Sequence, residues 1–285
     1  MASRFVPYRC ATALGAVLCL IAGAFGNAAN AQTRFKAHYI ISMTGVSIGQ
    51  IAWIAAIGDQ RYTTSANGKA SGVLSVLVNG EGSVDVRGVI AAGRLAPKFF
   101  TSRIIDDEGN SELRMTFDDG VVKDLVAPAP VPGMDRVPVT EADRRGVADP
   151  LSAMLMPAGD NAMARENCER VLSIFDGRRR YDLTLSFKRV DKVAIAGGYS
   201  GQALICGVVL KPIAGYRAES MLVKYVAGRR DMELWFAPVA GTSTIAPIRV
   251  LMPTLLGTLE ITADQFESLA PPLPPATPVP GAPPR

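Results

Sequence analysis

Residues 35–41 are β-rich, and apolar and polar side chains alternate with a period of two along residues 112–118 and 181–188. Successive side chains of a strand point to opposite faces, so this period predicts half-buried β-strands rather than helices. Thr44-Gly45 supplies a turn, and residues 47–57 return with Ile48, Ile51, Trp53 and Ile54. A polar, β-prone stretch at 61–66 follows, then strands at 83–91 and 95–105. Residues 112–118 place Leu113, Met115 and Phe117 on one side and charged or polar groups on the other, and Asp119-Gly120 predicts a tight hairpin into 121–126.

A second β block begins after a proline-rich loop at 128–146. Strands are expected at 168–175, 181–188, 203–212, 219–226, 231–237, 245–252 and 255–262. Asp176-Gly177 reads as another type I′ hairpin turn. Tyr181, Leu183, Leu185 and Phe187 share one face of the returning strand, as Leu234 and Phe236 do later. Gly197-Gly198 reads as a turn between strands. Long antiparallel strands with one apolar face curl around what they cover.

Two stretches break the period. At 149–156, Asp149 is a fitting N-cap, Pro150 suits the first helical position, and Pro157 with Gly159 stops the helix within about two turns. Leu151, Met154 and Leu155 fall at helical spacing and are expected to face inward, as a plug or lid joining the two blocks. Residues 71–78 suit either a buried strand or a short helix; Ser71 as a cap and Asn79-Gly80 as a stop favour the helix. The expected fold is therefore mainly β: a curled antiparallel sheet, half-barrel or open barrel, in two β blocks with one or two short helices.

The ends add a compartment. Arg4 and Arg9, the apolar run at 11–25 and Ala29-Asn30-Ala31 have the form of a Sec-type signal peptide at 1–31, cleaved after Ala31. The run is too short for a comfortable membrane span, so no transmembrane span is expected in the mature chain, and the periplasm is the expected location. Residues 270–285 hold eight of the twenty prolines and read as an extended, disordered tail. Residues 32–269 form the single expected domain.

Charge narrows the partners. Loss of Arg4 and Arg9 leaves 28 basic and 26 acidic residues, so the formal charge falls from +4 to +2. That balance lacks the concentrated basic face that nucleic acid needs.

Little chemistry is available. His38 is the one histidine, on the first strand, so a catalytic triad would have to use it. No serine elbow, metal-binding histidine pair, phosphate loop or dinucleotide glycine pattern is present, and no catalytic, cofactor or metal residues are assigned. Residues 106–112 resemble a calcium loop with its glycine misplaced, and the acidic hairpin tip is the plainer reading. Arg178, Arg179 and Arg180 leave a hairpin turn and are expected in solvent. Trp53 and Trp235 are expected as core or rim aromatics.

Cys168 and Cys206 remain in the mature chain, and in an oxidising compartment an isolated pair is most simply a disulfide, with buried thiols the alternative. Chain entropy gives such a bridge about 4 kcal/mol. The expected register places the two on the first and third strands of a meander, about 9.6 Å apart in a flat sheet, whereas a disulfide tolerates roughly 7 Å between Cα atoms. Either Cys168 precedes its strand and folds over the sheet, or the sheet curls strongly there.

Several of these stretches together resemble a known family. Asp149-Pro150-Leu151-Ser152-Ala153, Phe175-Asp176-Gly177 with Arg180-Tyr181, Cys206, and Glu233-Leu234-Trp235-Phe236 are similar to the bacterial domain-of-unknown-function family 3108. Gly45, Gly49, Gly72 and Leu95-Ala96-Pro97 extend the likeness to the first half, so it spans about residues 35–262. The resemblance implies an exported, envelope-associated β protein with no assigned activity. It also implies an architecture like lipoprotein carriers of the LolA and LolB type, in which a half-barrel and short helices enclose an apolar cavity. Fold alone does not give function, and the family brings no catalytic residues.

The expected function is thus a non-enzymatic periplasmic protein binding an apolar or amphipathic partner, a lipid or lipoprotein acyl chain, inside the curled sheet. Leu151, Met154, Leu155, Leu183, Leu185, Phe187, Leu234 and Phe236 are the residues expected to face that ligand or the core. The alternative is a structural or assembly factor of the cell envelope that acts through protein contacts.

Overall fold

Every long run of period two becomes a strand, and all the strands join one sheet. The computed structural model describes residues 32–71, 80–91, 93–106, 109–129 and 135–269. The signal segment with its cleavage after Ala31, most of the segment expected as a helix at 71–78, two acidic residues of the 106–112 tip, part of the proline loop and the tail at 270–285 lie outside them.

The first half is a meander of β1 (Thr33–Met43), β2 (Val46–Ile57), β3 (Arg61–Ala70), β4 (Gly80–Ala91), β5 (Arg94–Asp106), β6 (Gly109–Asp118) and β7 (Val121–Val126). The second half holds α1 (Pro150–Met154), β8 (Met156–Pro157), β9 (Val171–Phe175), β10 (Arg180–Ala194), β11 (Gly197–Gly198) and β12 (Ser200–Ala214). It ends with α2 (Met221–Gly228), β13 (Met232–Val239), β14 (Thr244–Thr254) and β15 (Gly257–Leu269).

The order across the sheet is β7-β6-β5-β4-β3-β2-β1-β15-β14-β13-β12-β10-β9, with β8 beside β14 and β11 beside β15. Among the described strands only β11 runs parallel to its neighbour. The two expected blocks are therefore one antiparallel sheet, joined where β1 pairs with β15, and its edges are β7 and β9.

The sheet is not closed by strand pairing, but a connector lies between its edges. Val147 N–H donates to the Gly120 carbonyl at 3.0 Å, while Ala148 exchanges bonds with β9 at Ser173 (2.9 Å) and Phe175 (3.0 Å). Exposed edges are otherwise open to pairing with other chains. Gly120 stands in the β6–β7 turn, where both Asp119 (φ 46°) and Gly120 (φ 70°) take the positive φ of a type I′ turn.

Four local expectations change. Residues 219–226, expected as a strand, end in helix α2, because Ser220 Oγ accepts the Val223 N–H at 3.4 Å and Val226 is buried in the core. A strand there would find no ladder, since β12 and β13 already bond to each other. The strand expected from Cys168 starts at Val171, and Cys168 ends a 3₁₀ turn at Arg165–Cys168. The turn at Asp176-Gly177 is not type I′: only Gly177 has positive φ, and Asp176 Oδ1 instead accepts the Arg178 (2.8 Å) and Arg179 (2.6 Å) amides. Gly197-Gly198 is a short strand on β15 rather than only a turn.

The inner face reads in rows from the register. At the end that carries α1, Thr33, Ile57, Tyr62, Gly88 and Pro97 stand side by side. The next row is Phe35, Ala55, Thr64, Val86, Phe100 and Met115, followed by Ala37, Trp53, Ala66, Val84, Ser102 and Leu113. Bulky side chains dominate these rows, and Phe35 packs edge-on against both Trp53 (5.3 Å between centroids) and Phe266 (4.9 Å). Phe175 of the second half is buried among Tyr62, Phe100, Leu113 and Phe117 of the first, so the two sheet ends share a core.

Candidate functional site

At the filled end, α1 is held by a chain of polar groups. Asp149 is fully buried; its Oδ1 accepts the Leu151 and Ser152 amides, both at 2.9 Å, as an N-cap should. Its other carboxylate oxygen has no partner. Burial pushes the Asp149 carboxyl above its ordinary range, against the downward pull of the Ser152 hydroxyl and the amides. Ser152 Oγ lies 2.6 Å from Tyr62 Oη on β3, and burial raises the Tyr62 phenol well above its ordinary value, with the Asp149 charge adding to the rise. Ser152 thus bridges the buried phenol of Tyr62 and the helix-capping carboxylate of Asp149. The arrangement is a latch that fastens α1 to the sheet.

The expected inward residues gather around this latch and the disulfide. Leu155 is 1% exposed, and Leu151 and Met154 are half-buried against the cores on either side. Leu185, Leu234 and Phe236 are buried in the second-half core, with Leu183 and Phe187 packed against it. Cys168 and Cys206 join in the same cluster with their Cα atoms 5.4 Å apart. The geometric difficulty is resolved because Cys168 precedes β9 and lies over the sheet. Beside α1 the seam leaves a groove of 560 Å³, whose walls mix Leu95, Pro97 and Leu172 with Arg94, Asp119 and Arg170.

The opposite end is built differently. The row Tyr39, Ile51, Gly68, Gly82, Ile104 and Ser111 is followed by Ala70, Gly49, Ile41, Ile261 and Val250, and Met252 pairs with Leu259 beyond. Ile41, Ile51, Val250, Met252, Leu259 and Ile261 are all half-buried, and Ile104 is 49% exposed. A Cβ added at Gly82 would meet only the Arg103 carbonyl at 3.6 Å, and one at Gly68 would make only ordinary contacts from 3.6 Å. At Gly88, in the filled end, a Cβ would overlap the Tyr62 ring and lie 2.5 Å from the Ala96 carbonyl. The same curled sheet thus carries bulky, buried side chains beneath α1, with the groove beside it, and ends on the far side in a rim of half-buried aliphatic side chains, referred to below as the mouth.

The outer face is polar. His38 Nδ1 lies 2.6 Å from Asp264 Oδ1, and its Nε2 is 3.3 Å from the Gln50 side chain. His38 and Gln50 border a trough of 550 Å³ that also carries Asn67, Lys69, Glu81 and Arg103. Trp235 has the guanidinium groups of Arg189 and Arg249 over its ring, each at 5.2 Å. Its indole N–H donates to Glu233 at 2.7 Å. Burial by itself would raise the Glu233 carboxyl, but bonds from Lys188 (2.8 Å), Arg189 (3.1 Å) and Trp235 outweigh it and hold the group at about 2. Arg180, expected in solvent, is only 9% exposed and pairs with Asp182 at 2.6 Å. Trp53 is a core residue whose N–H donates to Thr64 Oγ1 at 2.6 Å.

The family model described as protein of unknown function DUF3108 matches residues 34–264. The chain belongs to this family. No curated protein matches it. Among solved structures it is similar to the crystal structure of a beta-barrel-like protein of domain of unknown function DUF1849 from Brucella abortus, with 10% identity and a TM-score of 0.45. That match covers 84% of this chain and 98% of the other. Among the described residues no helix is long and apolar enough to cross a membrane.

The residues of the mouth were not singled out from the sequence. Ile41, Ile51 and Gly82 look like ordinary members of their strands, and nothing local marks them as lying at the open end. The latch was half visible: Asp149 announces a cap, but Tyr62 lies in a stretch that reads only as polar and β-prone.

Proposed function

We propose that the protein is an exported, non-enzymatic binding protein that holds the apolar part of a lipid or lipidated partner in the mouth of its curled sheet. The observation that carries this reading is the change along the inner face, from rows with buried aromatics to half-exposed isoleucines with Val250, Met252 and Leu259, beside glycines with room above them. Aliphatic surface left half in water gains free energy when a complementary apolar chain covers it, at roughly 25 cal/mol per Å². Pockets for small molecules are commonly of this type, concave and mainly apolar. Export is supported by the basic, apolar and small-residue pattern of residues 1–31. The non-enzymatic part of the reading rests on the sequence, which offers a single histidine and no recognised catalytic motif.

Native mass spectrometry of gently purified protein tests the reading. Wild type is expected to carry an apolar adduct, and Gly82→Leu, which places a side chain in the open space, is expected to lose it while unfolding at nearly the same denaturant concentration. Wild-type protein free of any such adduct after extraction from cells would overturn the proposal.

A further inference from the structure

The open end carries a second feature. The β1–β2 and β14–β15 hairpin tips lie side by side: Thr44 N–H donates to the Thr258 carbonyl at 2.9 Å, and Thr44 Oγ1 donates to the Leu256 carbonyl at 3.4 Å. They present Val46 (52% exposed), Leu255 (52%) and Leu256 (81%) to solvent. Neither residues 41–49 nor residues 251–259 contain a charged side chain, although β1 and β15 carry Arg34, Lys36, Glu260, Asp264 and Glu267 further along.

The backbone of Leu256 is also paired within the protein. Leu256 N–H donates to Thr254 Oγ1 at 3.2 Å, and the Thr254 hydroxyl donates to the Gly257 carbonyl at 2.7 Å. With its carbonyl bonded to Thr44, the most exposed leucine has both backbone polar groups paired inside the protein. That is the condition for taking a turn out of water, because an unpaired amide or carbonyl in an apolar medium costs several kcal/mol.

We infer that these two hairpin tips insert into the surface of a zwitterionic phospholipid bilayer. A bilayer fits better than a protein partner because the tips are exposed, free of charge and, at Leu256, satisfied in their backbone hydrogen bonds, whereas a protein interface surrounds its apolar centre with a polar rim. It also fits their place at the rim of the mouth, since an apolar molecule leaving a bilayer there would travel from lipid to aliphatic wall. That last argument rests on the reading of the mouth given above.

Flotation with phosphatidylcholine vesicles tests the inference, using protein purified after export. Wild type is expected to float equally at low and high salt, because no charge attraction is involved. The double variant Leu255→Ser, Leu256→Asp is expected to bind at least about tenfold more weakly. Ile54→Asp, on the outer face of β2 and 53% exposed at the start, is expected to bind as wild type. No flotation, flotation unchanged in the double variant, or flotation confined to anionic vesicles and abolished by salt would each overturn it. So would a concentration-dependent dimer that the double variant abolishes, which would make a second copy the partner. Native mass spectrometry on the same samples keeps the two proposals apart. A double variant that keeps its apolar adduct but no longer floats supports insertion, and one that loses both shows that the tips only shape the mouth. Wild type that floats without any adduct leaves insertion standing and removes the binding role.

Discussion

The two ends of this sheet use the same strands and the same alternation, yet they differ in what meets over the inner face. Around α1 the rows carry Tyr62, Phe35, Phe100 and Trp53, and Phe175 arrives from the other sheet end to complete the packing. At the far end the rows carry Gly68, Gly82, Ala70 and scattered isoleucines, and Tyr39 is the one aromatic named among them. One end uses its apolar surface to hold the fold together, and the other leaves it half exposed. The lesson is that a strand pattern reports which face is apolar but not whether that face is filled.

The contrast can be broken by substitution. Leu155→Asp places a charge where only 1% of the residue reaches water. It is expected to cost more than about 4 kcal/mol and to abolish the cooperative unfolding transition in circular dichroism. A folded variant that had merely lost its apolar adduct would show α1 to be a movable lid instead.

Acid titration separates two carboxylates of opposite sense. Glu233 is held at about 2, below its ordinary 4.5, so its contribution is present above about pH 4.5 and is lost as pH falls toward 2. The full shift corresponds to about 3 kcal/mol. Urea unfolding at several pH values should show that loss, and Glu233→Gln should flatten the slope. Asp149 is raised instead, so its contribution is favourable at acid pH, below its ordinary 3.8, and falls away as pH rises through its higher folded value. If Glu233→Gln left the acid slope unchanged, the ladder around Trp235 would not be holding its charge.

The glycines give the smaller effects and the sharpest comparison. Gly88→Ala forces the Tyr62 ring to move and is expected to destabilise by about 1–3 kcal/mol, measured by chemical denaturation. Gly82→Leu, in the mouth, is expected to change stability by less than about 1 kcal/mol while removing the adduct. Equal costs at the two positions would mean that both ends are filled.

Much of the fold was legible. Alternation and β-rich composition placed nearly all the long strands, Asp119-Gly120 announced its turn, and Asp149-Pro150 announced α1. Failures came where local signals compete. Met221-Leu222-Val223 has strand-like composition, and the cap at Ser220 is the one mark of α2. Asp176-Gly177 has the residues of a type I′ turn, yet the Asp176 side chain bonds onward to the following amides and makes a different one. Of the candidate site, the inward residues near α1 could be named because helical spacing and alternation are local properties. The mouth could not be.

By itself, the sequence determined the class of fold, the apolar face of the clearly alternating strands, the start of α1 and the expectation that Cys168 pairs with Cys206. These follow from backbone geometry, capping and the limited chemistry of two cysteines. Only the tertiary structure decided that β1 and β15 join the halves into one sheet, that Cys168 folds over it, and that one end is packed and the other open. Those properties depend on which residues of distant strands share a row, and register between distant strands is set by the whole assembly rather than by any single segment.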